Sequence, residues 1–134
     1  AALRSAREAV SATRSAIPAF GEGNYAEAVD YYTQALAEDS TSAYLHNLRG
    51  YALFKLGRLD EAIAEARASV DLDPQYAWGY LDLARFLCAA GGQDSEARLA
   101  IRAAISLRPQ LRHVMLGDAE FMRTCGRMHD ELVH

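Results

Sequence analysis

Two cysteines, four histidines and several paired carboxylates are the residues with which this sequence could do chemistry. Cys125 and His129 stand four residues apart, a spacing that puts two metal ligands on one face of a helix. No other pairing of Cys88 or Cys125 with His46, His113, His129 or His134 has it. Two ligands are too few for a structural zinc site, and Gly126 between them is placed to break the helix the pair would need, so no metal site is expected. The acid pairs Glu38-Asp39, Asp60-Glu61 and Asp130-Glu131 fall near predicted helix ends or solvent faces, where the helix dipole and hydration account for them. The sequence contains no glycine-rich phosphate cradle, paired-cysteine zinc pattern or nucleophile elbow. With no converging nucleophile, base or metal, the chain is not expected to be an enzyme, and no cofactor is expected.

Cys88 lies in an apolar helical run, where a free thiol packs like a small hydrophobe. Two cysteines cannot staple a domain of this size, which points to a reducing compartment. No apolar run approaches the roughly 20 residues that span a bilayer, and no signal-peptide pattern opens the chain. A cytoplasmic location is the expectation. Residue 1 is alanine, which is read as the mark of an excised or processed chain. The formal charge of −4, from 14 Lys+Arg against 18 Asp+Glu, argues against nucleic acid and against an anionic membrane surface as partners. Arg98, Arg102, Arg108 and Arg112 are locally basic, but at helical spacing they read as a solvated face. The stretch holding Tyr76, Trp78, Tyr80 and Phe86 combines large apolar surface with polar handles, as a contact surface does.

What must position these residues is a set of helices. The chain has 134 residues, 51% of them hydrophobic with alanine abundant, and three prolines. That suits one all-α domain over 1–134. Three segments superimpose: GNYAEAVDYYTQAL from Gly23, GRLDEAIAEARASV from Gly57 and GQDSEARLAIRAAI from Gly92. Glu27-Ala28, Glu61-Ala62 and Glu96-Ala97 fix their register, at a period of about 34 residues. Each unit reads as two helices, A and B, around a central glycine. In the second unit Tyr44, Leu48, Tyr51 and Leu56 mark helix A, and Leu59, Ala62, Ile63, Ala66 and Val70 mark helix B. Gly57 ends the former, and Asp73-Pro74 and Arg108-Pro109 close the units.

This pattern resembles the tetratricopeptide repeat, over about residues 9–42, 43–76 and 77–111. The small residue of mid-helix A is matched by Ala16, Gly50 and Ala84, and the alanine early in helix B by Ala28, Ala62 and Ala97. A later aromatic is matched by Tyr32 alone, and a following small position by Ala35, Ser69 and Ala104. Pro18 departs from the pattern and predicts a kink or break in the first helix A. Residues 112–134 supply a C-terminal cap with Phe121, Leu132 and Val133, broken at Gly117-Asp118 and Gly126. The resemblance implies a right-handed α-solenoid of three helix-turn-helix repeats.

It also implies a function. In this family the helix A faces line a concave groove that takes extended or helical peptides. Carried over position by position, the groove here would present Thr13 and Ile17 from the first unit, Tyr44, Asn47, Tyr51 and Lys55 from the second, and Trp78, Leu81, Asp82 and Arg85 from the third. The competing reading of Tyr51, Leu81 and Trp78 is packing between helices. The expected function is a protein-interaction module that holds a partner's peptide or helix. The alternative is a structural element that stacks on copies of itself, as a homo-oligomer, or on an upstream domain. The subclass that clamps acidic chaperone tails uses lysine, asparagine, asparagine, lysine and arginine or lysine at positions held here by Thr13, Ile17, Leu48, Trp78 and Asp82. None matches, which argues against that clamp.

Overall fold

The computed structural model of the chain describes residues 23–133. Among them the regular structure is helical. Helix α1, Tyr25–Glu38, starts where the Asn24 side chain accepts from the Glu27 amide while Glu27 receives the Asn24 side-chain amide in return. Ser42 caps α2, Ala43–Lys55, through a 3.1 Å bond from the Leu45 amide. Gly57, at φ +79°, takes the left-handed conformation that turns the chain into α3, Leu59–Leu72. Helix α4, Ala77–Ala90, follows the Asp73-Pro74 boundary, and Gly91 and Gly92 lead on to α5, Asp94–Leu107. The cap comprises α6, Leu111–Gly117, and α7, Ala119–Cys125, then a single 3₁₀ turn and α8, His129–Val133. Thr13, Ile17, Ala16 and Pro18, with the kink expected there, lie outside the described residues.

Helices α2 and α3 pack as one pair and α4 and α5 as the next; α1 lies against α2, and α3 against α4. Small residues set the spacing. Ala28, Ala62, Ala97 and Ala84 are fully buried. A methyl group built on Gly50 would meet Glu65 Cβ at 3.1 Å and Phe86 Cε2 at 3.4 Å, so a side chain there would have to push its neighbours on α3 and α4 aside. Ser69 stands where the other repeats carry alanine, and its buried hydroxyl donates to the Ala43 carbonyl at 2.8 Å. The main core runs from Leu53 through Leu81, Phe86 and Ile101 into the cap, where Phe121, Met128 and Leu132 are sealed. Each such side chain contributes about 1.5–3 kcal/mol of burial. Val133, expected in the cap's apolar face, is instead 44% exposed at the chain's end.

The cysteines differ from the expectation of free thiols. Cys88 on α4 and Cys125 on α7 are bonded to each other, with Cα atoms 5.3 Å apart. Their sequence separation of 37 hid the pairing, because only the docking of α7 on α4 brings them together. Cys125 is therefore no partner to His129, and among the described residues no group of histidines, cysteines and carboxylates could hold a metal. No described helix is long and apolar enough to cross a membrane.

Candidate groove and its polar network

Residues at one repeat position recur on successive A helices. Tyr44 on α2 and Trp78 on α4 are one such pair, and both are exposed, at 53% and 36%. The next pair, Asn47 and Leu81, is buried. Leu81 is a core residue at 1% exposure and offers nothing to a partner, a correction to its place in the groove set. A leucine has no polar end to hold it at the surface, so the core of α4 takes it.

The polar members of the predicted set are drawn inward and pair with one another. Asn47 donates to Asp82 Oδ2 at 2.9 Å and accepts from the Tyr76 hydroxyl at 3.2 Å. Arg85 Nε donates to Asp82 Oδ1 at 3.2 Å. Burial pushes the Asp82 carboxyl up, against the pull of Arg85 and Asn47. Burial likewise pushes the Tyr76 hydroxyl up to about 12, helped by the Asp82 charge. Such a group of satisfied buried polar atoms fixes the relative setting of α2 and α4.

Arg85 reaches further, to the cap. Its Nη1 donates to Glu120 at 3.0 Å and its Nη2 to Asp118 at 2.8 Å, both at the start of α7. The guanidinium lies 5.5 Å from the centre of the Tyr51 ring and 5.7 Å from that of Phe121. Glu120 also accepts from the Tyr51 hydroxyl at 3.2 Å and from Lys55 Nζ. Burial would raise the Glu120 carboxyl, but the Lys55 hydrogen bond and the charges of Lys55 and Arg85 together hold it below the usual range. Asp118 is held low in the same way, mainly by Arg85, while it caps α7 through the Phe121 amide at 3.1 Å.

Five of the predicted residues thus form one continuous network, Asn47, Tyr51, Lys55, Asp82 and Arg85. Tyr44 and Trp78 remain as its exposed aromatic flank. Thr13 and Ile17 are outside the described residues. Asp118 and Glu120 were missed, and Tyr76, singled out only within the aromatic stretch, joins the network through Asn47. A signal for Glu120 existed: carrying the interval between Pro74 and Pro109 one unit past Arg85 lands on it, so Tyr51, Arg85 and Glu120 are equivalent positions on three successive A-type helices. The surface charges have ordinary partners. Arg98 and Arg102 pair with Asp130 and Glu131 across α5 and α8, and Arg58 with Glu61.

Residues 13–77 match the family profile described as Tetratricopeptide repeat. Among curated proteins, the human DnaJ homolog subfamily C member 7 is 38% identical over 84 residues, 60% of this chain and 17% of that protein. The Hsp70-Hsp90 organizing protein of Triticum aestivum is 29% identical over 102 residues, 76% of this chain and 17% of that protein. The chain thus spans less than a fifth of either relative's length. Among solved structures, the first TPR of Spaghetti (RPAP3), bound to an HSP90 peptide, superimposes with a TM-score of 0.77 at 21% identity, covering 96% of this chain and 95% of that one. The TPR2B domain of yeast Sti1, in a complex with an Hsp70 peptide, gives 0.75 at 22% identity, covering 94% and 93%.

Proposed function

We propose that the chain is a tetratricopeptide-repeat domain, a protein-interaction module that holds a peptide or helix of its partner across the A-helix face, anchored on Tyr44 and Trp78. The observation that carries this reading is their shared repeat position and shared exposure, on a face where the neighbouring polar residues are tied to one another. Two rigid aromatics in line on parallel helices give a partner apolar contact area at little entropic cost, with polar edges to set its direction.

Peptides bound by the structural neighbours make acidic chaperone tails the first class to test. The residues that would receive them here are different ones. At the family's clamp positions the chain has Thr13, Ile17, Leu48, Trp78 and Asp82, and Asp82 is buried against Arg85. Any acidic ligand would instead be received by Lys55 and Arg85, deeper along the same face. The repeat domain itself performs no catalysis in this reading. Relatives named as a thioredoxin and as a serine/threonine-protein phosphatase leave the activity of a longer chain a separate matter.

Trp78 is the sole tryptophan and so a built-in reporter. Its fluorescence should be quenched by acrylamide in the free chain and shielded when a peptide from an arrayed panel binds. Trp78→Ala should weaken that peptide by about 2 kcal/mol or more while leaving the helical circular dichroism unchanged. Equal affinity in the variant would remove the anchor.

A further inference from the structure

Lys55 and Arg85 face two carboxylates, Glu120 and Asp118, that arrive on a separate element, α7. Without α7 the described residues of the site would set two cations against the single carboxylate of Asp82, with the Tyr51 hydroxyl beside them. That arrangement receives a carboxylate, and the carboxylate it now receives is the chain's own. A second observation bears on how firmly the occupant is held. Helix α7 ends at Cys125, five residues past Glu120, and Cys125 is bonded to Cys88 on α4, the helix that carries Arg85. The covalent bond and the ion pairs therefore hold the same short helix against the same face.

We propose that Lys55 and Arg85 form a carboxylate-binding site kept filled in cis by Glu120, and that the Cys88–Cys125 disulfide is its latch, so that reduction admits an acidic segment of a partner through its side-chain carboxylates. The inference rests on the groove reading above and adds the ligand class and its control. Reduction by a dithiol breaks the S–S bond. The dithiol's two hydrogens and two electrons end on Cys88 and Cys125 as thiols, and the dithiol becomes its own disulfide. Cys88 is 5% exposed and Cys125 is sealed, so the dithiol reaches the bond when the cap opens locally. After reduction, α7 is held by the burial of Phe121 and the ion pairs, and an acidic partner competes for the latter directly. A disulfide of this kind persists in an oxidising compartment and is lost in a reducing one, which makes the site responsive to location.

The test uses the chain with two fluorescein-labelled probes, a glutamate-rich octapeptide and its glutamine counterpart, both amidated at the C-terminus. Fluorescence anisotropy is read before and after treatment with dithiothreitol, with thiol release confirmed by mass spectrometry. Reduction should tighten the glutamate peptide at least about 10-fold, equivalent to about 1.4 kcal/mol, and leave the glutamine peptide unchanged. Lys55→Ala should remove the gain, and Glu120→Gln in the reduced chain should enlarge it. Hydrogen exchange supplies a readout that needs no ligand: amides of 118–125 should exchange faster on reduction while those of 59–72 do not. Unchanged exchange at 118–125 overturns the latch, and a reduced chain that binds both peptides alike, or neither, overturns the carboxylate site. A peptide bound equally before and after reduction but lost on Trp78→Ala would retain the groove reading and reject this one.

Discussion

Arg85 shows how one side chain's environment decides what its loss costs. It is 5% exposed and bonded to Asp82, Asp118 and Glu120, so its removal strands a buried carboxylate and two half-buried ones. Arg85→Ala should destabilise the chain by about 3–5 kcal/mol, the usual cost of breaking a buried ion pair from one side. Lys55 touches the same Glu120 but retains contact with solvent, and there Lys55→Ala should cost no more than about 1 kcal/mol. Urea denaturation of both variants checks the ratio; equal losses would mean that Arg85 is better hydrated than its packing indicates. A packing counterpart is Ala62, fully buried where α3 meets α2. Ala62→Leu should cost about 1–3 kcal/mol by overpacking that crossing.

At the scale of elements, α7 is the piece on which site and stability both depend. Asp118 caps it and Glu120 lies in its first turn, and both carboxyls lie below their usual range in the folded chain. A carboxyl depressed by folding stabilises the fold above its unfolded value, and that contribution is lost as the pH falls through the folded value. Asp82, raised by burial, works in the opposite sense: its protonation favours the fold as the pH falls. Melting temperatures from neutral pH into the acid range should therefore fall less steeply for Glu120→Gln than for the parent. Identical slopes would show that Glu120 exchanges its partners for water at no cost. Deleting 112–134 should do more, because it uncovers the α4–α5 face on which Phe121, Met128 and Leu132 pack. That truncation should aggregate or melt lower than the parent.

Over the described residues the molecule is a row of packed helices whose cap is tied to α4 by a covalent bond. A crosslink separated by 37 residues stabilises by about 4 kcal/mol in the chain-entropy account, so the reduced chain should melt well below the oxidised one. An unchanged transition would mean that the reduced, unfolded chain keeps the cap near α4. Because the cap covers the α4–α5 face with Phe121, Met128 and Leu132, the chain should remain monomeric in light scattering over a concentration series. Association rising with concentration would favour the stacking role over the peptide-binding one.

The local features of the fold were legible from the sequence because their causes are local. The Glu-Ala register, Gly57, and the breaks at Gly117-Asp118 and Gly126 act within one or two turns of helix, and the structure places helix ends where they fall. Most of the described residues of the expected groove set lie together in one network. What periodicity leaves open is which polar side chain on such a face meets water and which meets another side chain. Asn47, Asp82 and Arg85 were drawn inward by partners on other helices, Leu81 by the core of its own, and Cys88 by a cysteine beyond the last repeat. Those choices depend on distances across the stack, set by how α4 sits against α2 and how α7 docks on α4. No spacing along a single helix encodes them, and the tertiary structure alone decided that Lys55 and Arg85 meet the chain's own carboxylates.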